Sequence, residues 1–161
     1  MTRAARYAEQ FEAAHTEFMR LIESLDAERW RQIGKNHPQR MNDEDEGRPV
    51  GVIAHHVAVN SPWVMERIQA TLEGRPLHAV DMRAINAKHA GEHADVTREE
   101  VLRLLRQTQP EIAAAIRAIP DDQLDQARET PVGPMSVAQR IERVLIGHIK
   151  AHQGSIEAAV A

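Results

Sequence analysis

Apolar residues recur at alternating steps of three and four along most of this chain, which is the period of an amphipathic α-helix. The first such stretch predicts a helix over residues 3–25, with an apolar stripe of Tyr7, Phe11, Ala14, Phe18, Leu21, Ile22 and Leu25. Asp26 is then expected to cap a short turn through Trp30. Residues 34–48 are polar and contain an acidic cluster, so they predict a long loop, either a solvated connection or a functional segment.

A second helix is predicted from Pro49, a residue suited to the first helical position, to Glu73. Its inward face is expected to carry Ile53, His56, Val57, Asn60, Val64, Ile68 and Leu72. Pro62 lacks a backbone donor, so we expect either a kink there or a break with Ser61 as the cap. Gly74 and Pro76 then end the helix.

A shorter helix is predicted from Asp81 to His93, with Met82, Ile85 and His89 on one side. Thr97 and Glu100 have the spacing of a capping box, which opens a further helix that Pro120 ends. Pro110 should bend this helix. Its inward residues are predicted to be Val101, Leu104, Leu105, Thr108, Ile112, Ile116 and Ile119.

Residues 121–135 are predicted to form a turn and loop, and Ser136 with Gln139 forms a second capping box. The last helix should run to about Ala159, with a stripe of Ile141, Val144, Leu145, His148, His152 and Ile156. Four main helices with extra turns result. We therefore predict an all-α helical bundle that forms a single domain over residues 1–161.

Composition agrees with this fold class. Aromatic residues make up only 3% of the chain, so Leu, Ile, Val, Ala and Met must build the core, and the runs typical of strands are missing. The net charge of −4 and the lack of a basic block argue against nucleic-acid binding. No apolar run approaches about 18 residues and the N-terminus lacks an apolar stretch, so we expect a cytoplasmic protein with no membrane partner.

The chemistry of the chain is concentrated in its histidines, because it has nine of them and no cysteine. His148 and His152 are four residues apart and therefore share one face of the last helix. Two imidazoles at this spacing can share one metal ion, although a pair of core or groove histidines hydrogen-bonded to side chains or water also explains the spacing. His56 lies on the inward face of another helix, and three histidines from two helices are typical of a catalytic metal site.

Three other histidines have a similar spacing or lie next to one of these candidates. His89 and His93 are also four apart, but their stretch is short and polar and contains Gly91. We interpret them as surface or pocket-rim residues. His55 points about 100° away from His56 on the helix, which favours a supporting, interface or solvent position.

Two segments resemble motifs of the DinB-like four-helix family. Residues 47–68 (GRPVGVIAHHVAVNSPWVMERI) are similar to the opening of that family's second helix, and residues 133–159 (GPMSVAQRIERVLIGHIKAHQGSIEAA) to its last helix. The intervening residues 86–125 also resemble the middle of that family. The resemblance implies a DinB-like bundle with a long crossover, a homodimer, and a divalent ion such as zinc or nickel held by His56, His148 and His152.

The same resemblance implies a function, since several members of the family are, or resemble, thiol S-transferases that use mycothiol or bacillithiol. Such an enzyme would take a small-molecule thiol and an electrophilic substrate. The absence of cysteine suits this chemistry, because the sulfur nucleophile must then come from a cofactor. This chain departs from the family in having Arg48 and Pro49 where Trp and Ser or Thr are frequent, which alters the mouth of the pocket.

Residues near the three histidines are further candidates for binding the cofactor. Asn60 lies one turn after His56 and would orient a ligand or fill a helix contact, while Trp63 would line the pocket or join the core. Asn86 matches a recurring family position. Arg140 and Arg143 could bind an acidic group or form an exposed helix face.

Two other functions stay open from the sequence. One is a noncatalytic, stress-related protein that binds a metal or a small molecule. The other is a metal-dependent hydrolase, which needs a carboxylate base, and the sequence shows no obvious one beside these histidines; Glu142 and Glu157 are on the right helix but not on a face that clearly matches.

Overall fold

The computed structural model describes residues 1–36, 45 and 47–161, and their regular structure is helical apart from one short hairpin. The helices of the first part are α1 (Arg3–Ser24), α2 (Ala27–Arg31), α3 (Val50–Leu72), α4 (Met82–Glu92) and α5 (Arg98–Arg117). A 3-10 turn (Asp121–Asp125) precedes strands β1 (Ala127–Thr130) and β2 (Gly133–Ser136). The last helix runs without interruption through α6 (Val137–Gln139), a π-helical stretch (Arg140–Ile146) and α7 (Gly147–Val160).

Side-chain caps start α2, α5 and the last helix where the sequence predicted them. The Asp26 carboxylate accepts from the backbone N–H of Arg29 at the start of α2. Both predicted capping boxes are confirmed: in each, a hydroxyl accepts from the third helical N–H, and the third side chain accepts from the cap N–H. Backbone N–H groups at these three helix starts are therefore satisfied by residues nearby in the sequence, without help from packing.

The bundle consists of α1, α3, α5 and the last helix, which contact one another along their apolar faces. α3 is the central element, because every residue from Val50 to Ala58 is buried, although an exposed stripe runs along the second half of the helix. This confirms the predicted all-α bundle. This covered segment of α3 matters for function, since its polar side chains, His55 and His56, must find partners inside the protein.

Several local predictions for these helices are wrong in detail. Pro62 lies inside an uninterrupted α3, so the predicted break capped by Ser61 does not occur; the Ser61 hydroxyl instead donates to the carbonyl of Val57. Pro49 precedes α3 as its N-cap residue. On α4 the predicted common side of Met82, Ile85 and His89 is confirmed, because all three line one cavity, but Asn86 is buried while Ile85 is 46% exposed.

Residues 121–135 also differ from the predicted loop, because they contain the 3-10 turn and most of an antiparallel hairpin. The turn at Pro131 and Val132 is short, and Gly133 after it has a φ of 101°, a value that glycine adopts at little cost. The predicted loop at residues 34–48 lies largely outside the described residues.

The π-helical stretch in the last helix was also not predicted. The backbone N–H of Gly147 donates to the carbonyl of Glu142, five residues earlier, which widens the turn before α7. As a result Ile146 and Ile149 are buried although neither belongs to the predicted stripe, and Val144 is only half-buried. The stretch ends directly before His148 and therefore sets the direction in which α7 presents its histidines.

No helix among the described residues is long and apolar enough to cross a membrane.

His15 is a buried polar residue that the bundle does not satisfy. Its side chain is fully buried in α1 beside Phe11, and neither ring nitrogen has a hydrogen-bond partner within the part of the chain that the structure describes. Burial lowers the pKa of His15 to about 4. A buried polar group without a partner costs about 1–3 kcal/mol.

We therefore expect His15→Leu to raise the free energy of unfolding by about 1–3 kcal/mol near neutral pH. The folded pKa lies below that of the unfolded chain, so the unfolded chain binds the proton more readily. Wild-type stability should consequently fall as the pH drops below about 6.5 and level off below about 4, a contribution that the variant lacks. Urea unfolding across this range measures both effects. The exposed residue His78 provides the matched control, His78→Leu; equal acid sensitivity in both variants would contradict the assignment.

Candidate metal centre

Three histidines from two helices meet inside the bundle and form the first histidine cluster (His56, His148 and His152). The Nε2 atom of His148 lies 3.0 Å from the Nε2 atom of His56 and 3.0 Å from that of His152. His56 and His152 are buried and His148 is half-buried. The three residues can offer ligand atoms that all lie within 4.8 Å of one another.

The helices explain this convergence. His148 and His152 are separated by one turn of α7, so their rings lie one above the other, with centroids 4.3 Å apart and planes at 72°. His56 reaches them from α3, which packs against α7. Its ring lies 5.0 Å from His148 and 4.9 Å from His152. The steep angles between the rings direct their Nε2 atoms toward one point.

The donor set and its dimensions fit a divalent transition-metal ion. Imidazole nitrogens bind zinc at about 2.0–2.1 Å, so two of them on a tetrahedral ion lie about 3.3 Å apart. The observed 3.0 Å separations need to open by only a few tenths of an ångström. Three protein ligands leave a fourth position open, which is the arrangement of catalytic rather than structural sites.

The protonation of His56 also suits a metal ligand. Burial, followed by the nearby His152, lowers the pKa of His56 to about 3. The ring is therefore neutral at physiological pH, and protons do not compete with a metal ion for its lone pair.

The other ring nitrogens of the last-helix pair are held by polar side chains. The Nδ1 atom of His152 lies 2.9 Å from both carboxylate oxygens of Asp45, and both residues are buried, with exposures of 0% and 1%. The amide nitrogen of Asn60 lies 3.3 Å from the Nδ1 atom of His148. The Asp45 carboxylate accepts from Nδ1–H of His152, which fixes that ring and leaves its Nε2 available to a metal ion. The Asn60 amide does the same for His148 when its oxygen, rather than its nitrogen, faces Nδ1. Asn60 therefore lies behind the ligand ring of His148.

Asp45 was not predicted as a site residue. It belongs to the acidic cluster of the predicted loop, where carboxylates usually face solvent. Its distance of 107 residues from His152 along the chain leaves no local spacing to detect. The acidic cluster itself was the only available signal.

A cavity of about 150 Å³ opens beside the first histidine cluster, between α3 and α4. It is lined by His56, Val59, Asn60, Trp63, Met82, Ile85, Asn86 and His89. Trp63 is 37% exposed at its rim, with the Arg67 guanidinium 4.7 Å from the ring centroid, so the alternative of a core position is wrong. The three predicted cofactor-binding residues, Asn60, Trp63 and Asn86, thus share this cavity.

The histidines that the sequence assigned to the surface form a second histidine cluster (His55, His89 and His93). The Nδ1 atom of His55 lies 2.8 Å from the Nε2 atom of His89. Burial lowers the pKa of His89 to about 4 and also lowers that of His55. His55 is buried, and His89 and His93 are half-buried. The solvent-facing alternative for His55 is therefore wrong, because α4 folds over the side of α3 that carries it, whereas His89 lines the cavity beside His56, as the pocket-rim alternative predicted.

The remaining candidates lie away from the first cluster. Glu142 and Glu157 are exposed, and Glu157 accepts from the side chain of Gln153. Arg143 is exposed as well. Arg140 is half-buried, and burial with the nearby charge of Arg67 lowers its pKa.

Comparison with known proteins gives one match. The family model of the DinB superfamily matches residues 10–156, which is most of the chain. No curated protein and no solved structure matches the sequence.

Proposed function

Because the chain belongs to the DinB superfamily, we propose that its three converging histidines serve a divalent-metal-dependent thiol S-transferase. The observation that carries the proposal is the convergence of the Nε2 atoms of His56, His148 and His152 beside an open cavity. The ion is zinc or nickel, and the thiol is a small molecule such as mycothiol or bacillithiol. In the reaction the thiol gives up its proton, its sulfur bonds to an electrophilic carbon of the substrate, and the leaving group on that carbon departs with the bonding electrons.

The three residues of the first histidine cluster would be the ligands of the ion, and two neighbouring side chains would support them. His56, His148 and His152 would bind it through Nε2, while Asp45 and Asn60 keep two of the rings in place. A divalent ion held by three neutral imidazoles keeps its positive charge and favours the thiolate form of a thiol, which is the reactive form. The chain itself holds no cysteine that competes for this position.

The cavity supplies the binding surface for the substrates. Val59, Trp63 and Ile85 provide apolar contacts, and the side chain of Asn86 adds a polar group at the buried end. A mainly apolar pocket with few polar groups is typical of small-molecule sites. The presence of a cavity beside His56 favours an enzyme over a protein that only stores metal.

The position of Asp45 argues against a hydrolase. A base that activates water must lie on the open side of the ion, near the Nε2 atoms. Asp45 instead contacts the Nδ1 atom of His152, on the opposite side of that ring. Within the described residues, the ligand group around His56 consists of histidines only.

The test is a conjugation assay with protein purified without a nickel column. Metal-free protein and protein reloaded with Zn²⁺ or Ni²⁺ are each given mycothiol, bacillithiol or cysteine and a model electrophile. Conjugation above the uncatalysed rate should require the metal and be lost in His56→Ala. Metal binding at full stoichiometry without conjugation of any thiol would instead favour the noncatalytic function.

A substitution in the cavity separates binding of substrates from binding of metal. We expect Ile85→Trp to lower kcat/KM for conjugation about tenfold, because the larger ring occupies space next to His56 and displaces the reacting groups. The metal content should not change. Val132→Trp, at the exposed hairpin tip, is the matched control and should keep wild-type activity. Equal rates for the two variants would place the reaction outside this cavity.

A further inference from the structure

The second histidine cluster repeats the architecture of the first. His89 and His93 are one turn apart at the C-terminal end of α4, as His148 and His152 are in α7. α3 supplies the third ring in each case, His55 for one cluster and His56 for the other. Consecutive residues of a helix point about 100° apart, so one segment of α3 can serve two clusters on different sides.

The rings of the second cluster are close enough to share an ion. Their ligand atoms lie within 4.8 Å of one another. The His55 centroid is 5.0 Å from His89 and 4.0 Å from His93, and the His89 and His93 centroids are 4.8 Å apart. We propose that His55, His89 and His93 form a second site for a divalent transition-metal ion.

The donor set limits the ion to one chemical class. Within the described residues this group contains imidazoles alone, with neither carboxylate nor thiolate. Imidazole donors select Zn²⁺, Ni²⁺ or Cu²⁺ over Mg²⁺ or Ca²⁺, which require oxygen ligands.

The second site should bind its ion more weakly than the first. The rings of His55 and His93 are stacked, with planes at 27°, so one of them must turn before both direct a nitrogen at the same point. His93 is the residue that can turn, because it is half-buried and caps the end of α4.

An ion in this position would fasten α4 to α3. Asn86 is the only residue of α4 that is buried, so few apolar contacts hold this helix. α4 nevertheless forms one wall of the cavity beside His56, and His89 lines that cavity too. The second ion therefore stabilises the wall of the proposed substrate pocket.

Metal stoichiometry tests the proposal and does not depend on S-transferase activity. Metal-free protein is dialysed against excess Zn²⁺ and its metal content is measured by elemental analysis. Wild type and the control His78→Ala should bind two equivalents, and His93→Ala one. His148→Ala should keep the equivalent of the second cluster, and the double variant should bind none.

Two results would overturn the second site: one equivalent in wild type, or two in His93→Ala. Because His93 lies at a helix end, its substitution should leave the fold intact, which circular dichroism checks. His89→Gln provides a second variant with the same expected loss of one equivalent. Amide hydrogen exchange in α4 gives an independent readout, since Zn²⁺ should slow exchange there in wild type but not in His93→Ala.

Discussion

Replacing His148 with alanine is expected to weaken metal binding at the first histidine cluster by about 100-fold or more. Its Nε2 atom is the shared neighbour of the other two, at 3.0 Å from each, so its loss leaves His56 and His152 without the ring between them. Structural zinc sites with four ligands bind with about 10–16 kcal/mol, or roughly 3 kcal/mol for each ligand. A loss of this size corresponds to about 100-fold in affinity.

The measurement is a competition between the protein and a chelator of known zinc affinity. Both proteins in the comparison also carry His93→Ala, which removes the second histidine cluster as a binding site. Only zinc binding at the first cluster is then observed. Zinc at 100 times its dissociation constant should stabilise the His93→Ala protein by about 2.7 kcal/mol, which raises its melting temperature, and His148→Ala should remove the increase. Unchanged zinc affinity in His148→Ala would exclude the first cluster as the metal site, and His78→Ala controls for losing any histidine.

The sequence predicted the helices well because the residues that define a helix start or an apolar stripe lie close together along the chain. The capping boxes at Thr97 and Ser136 need only residues three positions away, and both are present in the structure. The apolar stripe of α1 likewise matches its buried face. These features depend on the chain alone and not on what packs against it.

The adjacent residues His55 and His56 show that such patterns do not predict which other helix a side chain contacts. Periodicity separates the directions of the two side chains, but it does not reveal that this segment of α3 is covered on every side. His55 points at α4, whose polar side faces inward, so its partners His89 and His93 have no apolar stripe to mark them. A histidine cluster built on a polar face can be found only once the tertiary structure is known.

The π-helical stretch limits prediction for a different reason. Stripe analysis assumes a constant 3.6 residues per turn, whereas the wider turns of residues 140–146 shift the phase of everything that follows. Ile149 is buried beyond this stretch although it lies outside the predicted stripe. The pair His148 and His152 was still identifiable, because its spacing of four lies wholly within α7.

Asp45 provides the second large expected effect, since its carboxylate holds the ligand ring of His152 from behind. A carboxylate on Nδ1 fixes the tautomer that exposes Nε2 and makes that nitrogen more basic. Removing such a partner lowers metal affinity by about 10–100-fold. We expect Asp45→Asn to fall near the lower limit, because its amide oxygen can still accept from Nδ1–H, and Asp45→Ala near the upper limit.

The test is whether zinc affinity, measured by chelator competition, falls less in Asp45→Asn than in Asp45→Ala. Asp122→Asn removes an exposed carboxylate of the 3-10 turn and should leave the affinity unchanged. Urea unfolding of the metal-free variants separates a direct effect on binding from a loss of folded protein. Because Asp45 lies on the far side of the ring from the converging nitrogens, an orienting role predicts reduced affinity without a change in stoichiometry at saturating zinc. Loss of a full equivalent at saturation would instead make Asp45 a direct ligand of the ion.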